Sequence, residues 1–466
     1  MTGIVAWDSH IARHRIAPAV IVGRKAPDNG PERSVCWADE DSLTMGVAAA
    51  RRCLAGRSRD AIGLVVFAST THPFAEKQGA ALLAGVLGLS ASVRSADIGN
   101  SLRAGAQALA VASDAVRAGS IAQALVVIAD CRQGAPGSEL ERSGGDAAVA
   151  FLIGRDNAVA ELTATAHRTE EIIETWRRQG DRFTHSWEDR FALQYGFLAP
   201  AHSAGKALPK PSCTRVWALS APNGRALALL AKSLQGKAAA QTDDLLTKAG
   251  FCGAAHAPLL LAAALDAAEA PCEIALIAHG DGAEAQLWHV LAPRPGTAVA
   301  DTLAEREVVP TAAAWRSARA LNLAEYTPAD DAGISATIHF RERDENNRLR
   351  GQRCICGAPQ FPKGRVCITC SRKDCFTPED FAENGGQLVT YTLDAFFPSP
   401  TPPTAVGIVQ VDDGPRIHMQ IADLGSATPE IGMRLRFAFR RVHLSGQRPN
   451  YFWKAIPEQT KQRVSA

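Results

Sequence analysis

The chain has 466 residues, of which 46% are hydrophobic, so it can form two or three domains with sizeable cores, and extended disorder is excluded for most of it. Its 50 Lys and Arg residues nearly balance 48 Asp and Glu residues, which leaves a formal charge of +2 with no block of like charge. Bulk attraction to nucleic acid or to a membrane surface is therefore not expected, and small molecules or proteins are the predicted partners.

The N-terminal segment, MTGIVAWDSHIARHRIAP, lacks a basic-then-apolar signal pattern, and no apolar run reaches membrane-spanning length. The sequence therefore predicts a cytoplasmic protein with reduced thiols.

Residues 1–292 alternate short β-branched runs with alanine-rich helical stretches, which is typical of α/β layers. In chain order, the first half reads as strand GLVVFAST, helix EKQGAALLAGVLG, strand VRSADIG, helix SLRAGAQALAVASDAVRAG, and strands ALVVIADC and DAAVAFLIG. The second half has a similar alternation, with strand TRVWALSAP, helices NGRALALLAKSLQG and APLLLAAALDAA, and strands EIALIAHG and AEAQLWHVL. Two halves that end in similar strand pairs indicate an internal duplication.

Two segments interrupt or follow this pattern. Residues 165–212 are more charged and aromatic, including ETWRRQGDRFTHSWEDRFALQYGF, and we expect them to cap a site. Trp187, Glu188, Asp189 and Arg190 in this segment either line an acyl pocket or belong to a solvated amphipathic helix. Residues 293–350 are rich in proline and charge, and they are predicted to form a surface linker that carries one or two helices.

Five of the 11 cysteines lie in one short stretch, RCICGAPQFPKGRVCITCSRKDC. The spacing lets the thiolates of Cys354, Cys356, Cys367 and Cys370 converge on one zinc ion in a ribbon at 351–376. Four sulfur ligands without a histidine describe a closed, structural site. Cys375 is either a spare thiol or an alternative to Cys354.

Residues 377–466 contain short alternating strands separated by turn residues. The predicted strands are QLVTYTLDAFF, TAVGIVQVDDG, RIHMQIAD, MRLRFAFRRV and YFWKAIP. Five such strands predict a small all-β barrel of the OB type.

The order of FASTTHPFAEKQGAALLAGVLGL, SADIGNSLRAGAQAL, VIADCR, GGDAAVAFLIG and IAHGDGAEA resembles the thiolase-like superfamily, nearest to 3-hydroxy-3-methylglutaryl-CoA synthase. This likeness covers residues 1–292. The part of the chain from about residue 340 on is similar to the proteins with a zinc ribbon and an OB fold that accompany thiolases, although the first cysteine pair is Cys-x-Cys-Gly here instead of their usual Cys-x-x-Cys-Gly.

The resemblance implies a fold and a chemistry. The expected fold is a duplicated, five-layered α/β body, followed by a rubredoxin-like zinc ribbon and an OB barrel. The body is expected to form a homodimer through SADIGNSLRAG. The expected chemistry is making or breaking a carbon–carbon bond next to a CoA thioester, with CoA as part of the substrate and zinc as a structural ion.

The family's catalytic side chains are absent from the matching positions. Its nucleophilic cysteine aligns with Leu102, which cannot be acylated. A one-residue slip of the alignment would instead bring Ser101 there, with no obvious histidine to activate it. The acid/base glutamate of the synthases aligns near Thr70, and their histidine near Ser220.

A backbone N–H group remains a hydrogen-bond donor when the side chain of its residue is replaced. The resemblance implies an oxyanion hole formed by the N–H groups of Leu102 and Gly282. Such a hole, together with a positioned base, is sufficient for an aldol or retro-aldol step that forms no acyl-enzyme. Candidate bases are His72, His279, His256, Asp281 and Tyr195, each of which also has a purely structural interpretation.

Three hypotheses for function stay open. The first is an acyl-CoA lyase or acyltransferase that acts on a 3-hydroxyacyl-CoA without a covalent intermediate. The second is a non-catalytic subunit that binds and channels acyl-CoA for a partner thiolase in a hetero-complex. The third keeps Claisen chemistry with a relocated thiol, Cys252 or Cys131, although free cysteines commonly fill cores.

Overall fold

The computed structural model describes residues 2–37, 40–172, 174–186, 189–235, 244–319, 336–396, 403–424, 428–445 and 448–458. The chain forms two compact units, residues 1–327 and residues 328–466. No helix in these described ranges is both long enough and apolar enough to cross a bilayer.

The first unit consists of strands and helices that alternate along most of its length. Its strands are β1 (Gly3–Ile11), β2 (His14–Ile16), β3 (Arg33–Val35), β4 (Ile62–Ser69), β5 (Arg94–Gly99), β6 (Gln123–Asp130), β7 (Ala147–Gly154), β8 (Ala160–Thr169), β9 (Thr175–Trp176), β10 (His185–Ser186), β11 (Arg215–Leu219), β12 (Cys272–His279), β13 (Gly282–Val290) and β14 (Glu307–Val308). Its helices are α1 (Pro18–Ile21), α2 (Ser42–Cys53), α3 (Gly79–Val86), α4 (Ala104–Arg117), α5 (Glu139–Ser143), α6 (Asp189–Phe191), α7 (Ala199–Lys206), α8 (Gly224–Gln235), α9 (Asp244–Lys248), α10 (His256–Asp266), α11 (Ala298–Ala304) and α12 (Ala312–Ala318), with a π-helix at Ala192–Leu198 and a 3₁₀ turn at Gly253–Ala255.

A single sheet of nine strands runs through this unit in the order β11-β12-β13-β8-β1-β7-β6-β4-β5. In the first half, β4 and β6 are parallel, whereas β6–β7 and β7–β1 are antiparallel. The second half repeats these directions, because β11 and β12 are parallel, whereas β12–β13 and β13–β8 are antiparallel. This repeat confirms the predicted duplication.

The two halves join where β1 pairs with β8, with Gly3 opposite Glu161 and Ile4 opposite Ala160. A Cβ atom on Gly3 would collide with the Ala160 carbonyl oxygen, so the junction requires glycine.

Helices cover both faces of each half. Leu109 of α4 and Leu261 of α10 share one core with Val126 of β6 and Ile274 of β12, so these helices lie between the halves. α2 and α3 cover the other face of the first half, and α7 and α8 cover the other face of the second half. Strands buried on both faces read as continuous apolar runs, as VVIA in β6 does. The result is the five-layered α/β body that the resemblance implies.

Residues 293–319 pack on this body and do not form the predicted surface linker. β14 runs parallel to β2, and the hydroxyls of Ser9 and Thr302 are 2.7 Å apart in the interior. Arg316 of α12 forms two hydrogen bonds with the buried Glu141 carboxylate, at 2.8 and 2.9 Å. The first compact unit therefore extends well beyond residue 292. Residues 320–335 of the predicted linker lie outside the described residues.

The second unit contains α13 (Ala336–Arg348) and two small sheets. Its strands are β15 (Arg350–Cys354), β16 (Pro359–Gln360), β17 (Phe376–Asp380), β18 (Gly386–Asp394), β19 (Thr404–Val411), β20 (Arg416–Ile421), β21 (Arg434–Ser445) and β22 (Arg448–Pro457). The first three form one sheet, and the others close a barrel in the order β18-β19-β20-β22-β21. Every second residue of β19 is buried, as an alternating barrel strand requires. These five strands match the five predicted from the sequence and confirm the OB-type barrel.

Candidate active site

A cavity of about 330 Å³ lies at the ends of strands from both halves of the first unit. Thr70 follows β4, Asn100 follows β5, and Gly280 follows β12. In α/β sheets, ligands bind in the crevice outside the carboxyl ends of the strands. The lining residues are Thr70, Asn100, Ser101, Leu102, Arg132, Ile172, Glu174, Thr175, Trp176, Arg177, Thr184, Gly280 and Asp281.

In the cavity wall, Leu102 of the first half meets Gly280 of the second. The Ser101 hydroxyl donates to the Gly280 carbonyl oxygen over 3.1 Å. A Cβ atom on Gly280 would lie 2.8 Å from the Leu102 nitrogen, and Gly280 has a φ of +133°, so only glycine fits here. The buried Arg103 side chain donates to the Arg168 carbonyl oxygen over 3.0 Å, which fixes the turn that carries Leu102.

Several backbone N–H groups in this wall, among them those of Leu102 and Asp281, have no hydrogen-bond acceptor within the described part of the chain. Gly282, the donor expected from the sequence, instead begins β13 opposite Thr169 and does not line the cavity. The turn is tight because the Gly280 N–H donates to the Gly282 carbonyl oxygen over 3.0 Å, which leaves Asp281 at the cavity. Leu102 and Asp281, one from each half, therefore replace Leu102 and Gly282 as the candidate backbone donors to an oxyanion.

Thr70, the residue near which the resemblance places an acid/base glutamate, has a structural role. Its hydroxyl donates to Asp130 Oδ2 over 2.8 Å, and its N–H donates to Oδ1 over 2.7 Å. The buried Asp130 carboxylate also accepts from the hydroxyls of Ser69 and Thr71 and from the Ala254 N–H. The Thr70 hydroxyl proton is thus engaged in holding the end of β4.

His279 ends β12, but its ring does not line the cavity. It stacks on Phe251 with 5.4 Å between ring centroids and meets Phe197 edge-on at 4.9 Å. Burial, with His256 and Arg132 nearby, lowers the pKa of His279 to about 3, and its Nδ1 atom has no partner among the described residues. A neutral imidazole behind aromatic rings is not placed to act on a ligand in the cavity.

His72 and His256 also lie outside the cavity wall. His72 is half-buried beside β5, with Nε2 3.4 Å from the Ile98 carbonyl oxygen and Nδ1 3.8 Å from Asp97 Oδ2. His256 begins α10 and is fully buried, and its Nδ1 atom accepts the Cys252 N–H over 3.2 Å. Among the predicted bases, only Asp281 lines the cavity.

The remaining sequence candidates are set back from the cavity. Ser220, at the position of the synthase histidine, and the thiols of Cys131 and Cys252 are buried and do not line it. The Cys252 thiol donates to the Gly250 carbonyl oxygen over 3.3 Å, which is consistent with core filling. Tyr195 lies in the π-helix and is exposed. Trp187 and Glu188 lie outside the described residues.

The wall contains a carboxyl group that sequence patterns did not identify, that of Glu174. This residue directly precedes β9 within the 165–212 segment, and its Oε1 atom is buried with no hydrogen-bond partner among the described residues. Burial raises the pKa of Glu174 to about 8, with the negative charge of Asp281 acting in the same direction and the Arg132 guanidinium opposing it. The segment has many charged residues and no periodicity, so no local signal distinguishes this carboxylate.

Two arginines place positive charge at the cavity. Arg132 is 6% exposed and donates to the Thr175 hydroxyl over 3.2 Å. Arg177 is exposed and donates to the Thr70 carbonyl oxygen over 2.9 Å. The cavity therefore combines two cations, two carboxyl groups and backbone N–H groups, which suits an anionic or polar substrate.

The second unit holds a separate candidate metal centre. The Sγ atoms of Cys354, Cys356, Cys367 and Cys370 lie within 4.8 Å of one another. Sulfurs about 2.3 Å from a tetrahedral zinc ion lie roughly 3.8 Å apart, and the Cys354–Cys370 and Cys356–Cys367 pairs are 3.6 and 3.8 Å apart. The four thiols therefore fit the zinc ion predicted from their spacing.

Local backbone geometry supports this cluster. Gly357, with a φ of +88°, closes a turn in which its N–H donates to the Cys354 carbonyl oxygen over 2.8 Å. Hydrogen bonds from the N–H groups of Cys370 and Thr369 lower the pKa of the Cys367 thiol to about 6, which favours the thiolate. Cys375 donates to the Lys373 carbonyl oxygen over 3.0 Å and is not part of the group, so Cys354 is the better fourth ligand.

Comparison with known proteins gives two groups of relatives. The chain is 30% identical to the hydroxymethylglutaryl-CoA synthase of Thermoplasma acidophilum over 308 residues, which span 62% of this chain and 87% of that protein. It is 31% identical to the synthase of Pyrobaculum arsenaticum over 300 residues, which span 60% of this chain and 85% of that protein. The family model described as "ChsH2, C-terminal OB-fold domain" matches residues 380–440.

Among solved structures, one described as a crystal structure of HMG-CoA synthase complexed with CoA has a TM-score of 0.60 and 17% sequence identity, and it covers 72% of this chain and 93% of that one. At this identity the likeness establishes the fold. It agrees with the duplicated α/β body described above.

Proposed function

Because this chain belongs to the hydroxymethylglutaryl-CoA synthase family, we propose that it makes or breaks a carbon–carbon bond next to an acyl-CoA thioester. The cavity between the two halves is the proposed site. Its backbone donors at Leu102 and Asp281 are suited to the thioester oxygen, and its two arginines suit an anionic substrate.

The reaction proposed is of the aldol or retro-aldol type on a 3-hydroxyacyl-CoA and proceeds without an acyl-enzyme. One observation carries this proposal: Leu102 keeps its backbone N–H at the cavity, while its side chain cannot form a thioester. A Claisen condensation through an acyl-enzyme needs a nucleophile at the site. The thiols of Cys131 and Cys252 do not line the cavity, and the Ser101 hydroxyl, which does, donates to the Gly280 carbonyl oxygen.

In the cleavage direction, a base in the cavity accepts the proton of the 3-hydroxyl group. The C2–C3 bond then breaks, the carbonyl group of an aldehyde or ketone forms at C3, and the electron pair moves to the thioester as an enolate. The N–H groups of Leu102 and Asp281 stabilise the enolate oxygen. A proton added to C2 completes the shorter acyl-CoA, and the synthetic direction reverses these steps.

Substitution of Gly280 tests the role of this wall. Gly280→Ala should lower turnover of a 3-hydroxyacyl-CoA by about 100-fold or more, because the new Cβ atom would press on the Leu102 nitrogen and displace an oxyanion donor. The measurement is release of the carbonyl product, followed by derivatisation and mass spectrometry.

Gly56→Ala is the matched control, since Gly56 also has a positive φ (67°) but no heavy atom within 4 Å of the added Cβ. Gly56→Ala introduces backbone strain without a steric collision, so this variant should retain turnover. Equal activity of Gly280→Ala and Gly56→Ala would count against the backbone site.

The alternative is a non-catalytic subunit that binds and channels acyl-CoA for a partner thiolase. It is favoured by the loss of catalytic side chains at Thr70, Leu102 and Ser220. Turnover by the purified chain alone would exclude it, whereas turnover only after addition of a co-purified thiolase, and unaffected by Gly280→Ala, would support it.

The cysteine cluster is proposed to hold a structural zinc ion. With four sulfur ligands, the ion has no open position, so it supplies stability to the small second unit and no catalytic step. The acyl-CoA chemistry is assigned to the first unit alone.

A further inference from the structure

Glu174 supplies the buried carboxyl group of the cavity wall, whereas Asp281 is exposed. Its Oε1 atom is buried and has no hydrogen-bond partner within the described residues, although buried carboxylate oxygens are normally paired. Gly196 of the π-helix packs on it, because a Cβ atom there would lie 2.8 Å from Glu174 Cγ and 3.0 Å from Cδ. This contact restricts the side chain while leaving its carboxyl group in the cavity wall.

The charged groups that face Glu174 come from two other elements. Asp281 lies in the β12–β13 turn, and Arg132 lies in the segment after β6. Arg177, in the same segment as Glu174, lines the cavity and is bonded to the Thr70 carbonyl oxygen, and the contact from the π-helix is an uncharged glycine. The Glu174 carboxyl group thus has one anion, Asp281, and one cation, Arg132, as charged neighbours. The same wall contains the backbone N–H group of Leu102.

We infer that Glu174 is the catalytic acid/base of this site, taking the role that Thr70 cannot fill. This inference rests on the proposed carbon–carbon bond chemistry. The Glu174 carboxylate accepts the 3-hydroxyl proton as the C2–C3 bond breaks, and the resulting carboxylic acid returns the same proton to C2 of the enolate. One proton moves from oxygen to carbon through one residue, so no other reactant is needed.

The protonation state of the residue suits both steps. A group with a pKa of about 8 is mostly protonated at neutral pH but still supplies some carboxylate, and a catalytic pKa near the working pH is the most effective. Activity should therefore rise with pH up to about 8 and then level off. Removing the charge of Asp281 should lower the pKa of Glu174 and move this rise to lower pH.

Proton exchange at C2 tests the inference independently of cleavage. The protein is incubated in D₂O with an acyl-CoA that has no 3-hydroxyl group, such as propionyl-CoA, and deuterium at C2 is followed by mass spectrometry. Wild-type protein should catalyse exchange, and Glu174→Gln should lower it by about 100-fold or more. Glu174→Asp should recover part of the loss. Glu76→Gln, an exposed carboxylate outside the cavity, is the matched control and should exchange like wild type.

The Asp281→Asn variant distinguishes an acid/base role of Glu174 from a purely structural role. The acidic limb of its pH–exchange profile should lie at lower pH than that of the wild type. Thermal unfolding and near-ultraviolet circular dichroism establish that each variant is folded.

The outcomes separate the two proposals. Exchange that depends on Glu174 without cleavage of any 3-hydroxyacyl-CoA would retain the acid/base role and overturn the aldol function. Cleavage or exchange unchanged in a folded Glu174→Gln variant would overturn the inference and leave the function standing. Absence of both activities in wild-type protein would overturn both.

Discussion

Individual side chains in the cavity wall determine which reactions the site can catalyse. Leu102 presents no nucleophilic side chain in the cavity wall, and the Thr70 hydroxyl donates a hydrogen bond to Asp130. Glu174 supplies a carboxyl group from another part of the chain, in a segment that follows β8. In the proposed mechanism, acid/base capacity therefore lies on a different element, while the proposed oxyanion donors lie near the ends of β5 and β12.

His279 illustrates a titratable residue whose effect is on stability. Its pKa is about 3 in the folded protein and about 6.5 in an unfolded chain. Between these values the unfolded state binds more protons, so stability decreases as pH falls through this range. The slope is at most about 1.4 kcal/mol per pH unit for one proton.

His279→Phe removes this titration while keeping an aromatic ring between Phe197 and Phe251. The free energy of unfolding, measured by urea titration from pH 6.5 to 4, should then depend less steeply on pH. His202→Gln, at a histidine whose Nδ1 atom lies 3.1 Å from the Ser233 hydroxyl, is the control and should keep the wild-type slope. An unchanged slope in His279→Phe would show that the imidazole is not held neutral by the fold.

Secondary structure elements differ in how well local sequence predicts them. The barrel strands follow from alternation, as in TAVGIVQV of β19, and the core strands follow from apolar runs such as VVIA. The packing of residues 298–318 was not predicted, because proline and charge suggest a linker, while its stabilising contacts are to β2 and Glu141, far away in sequence.

The residues of the candidate site also differ in how well local sequence predicts their positions. Leu102, Gly280 and Asp281 lie in short motifs next to strands, so the sequence places them at the strand ends. Glu174 lies in an irregular segment whose conformation depends on packing against the π-helix and the β12–β13 turn. No pattern within its own segment carries that information, and only the tertiary fold brings its carboxyl group beside Asp281.

Because the cluster of four cysteines is proposed to hold zinc, we expect the stability of this part of the chain to depend most on a metal ion. Cys356→Ser should reduce bound zinc from one ion per chain to near zero, because three thiolates and a hydroxyl form a much weaker site. The second unit should then unfold at lower temperature. Zinc content by plasma mass spectrometry and calorimetric unfolding measure the two effects.

Cys375→Ser is the control for this substitution. The Cys375 thiol bonds to the Lys373 carbonyl oxygen and lies outside the cluster of four. This variant should retain zinc and the wild-type unfolding temperature. Loss of zinc in Cys375→Ser, with retention in Cys356→Ser, would contradict the ligand assignment.

At the scale of the whole molecule, one chain combines a body of the hydroxymethylglutaryl-CoA synthase family with a barrel similar to the ChsH2 C-terminal OB-fold family. Covalent linkage fixes their ratio at one to one and keeps their local concentration high. The predicted homodimer stays a prediction. β5, in the segment expected to form its interface, is an edge strand of the nine-stranded sheet and is only partly buried.

The most direct test of the central claim combines product analysis with the intact mass of the purified chain during incubation with a series of 3-hydroxyacyl-CoAs. The proposed function predicts a shorter acyl-CoA and an aldehyde or ketone in equal amounts, while the mass of the protein stays unchanged throughout turnover. A protein mass increased by an acyl group during turnover would contradict the claim, as would the absence of both products with every substrate in the series.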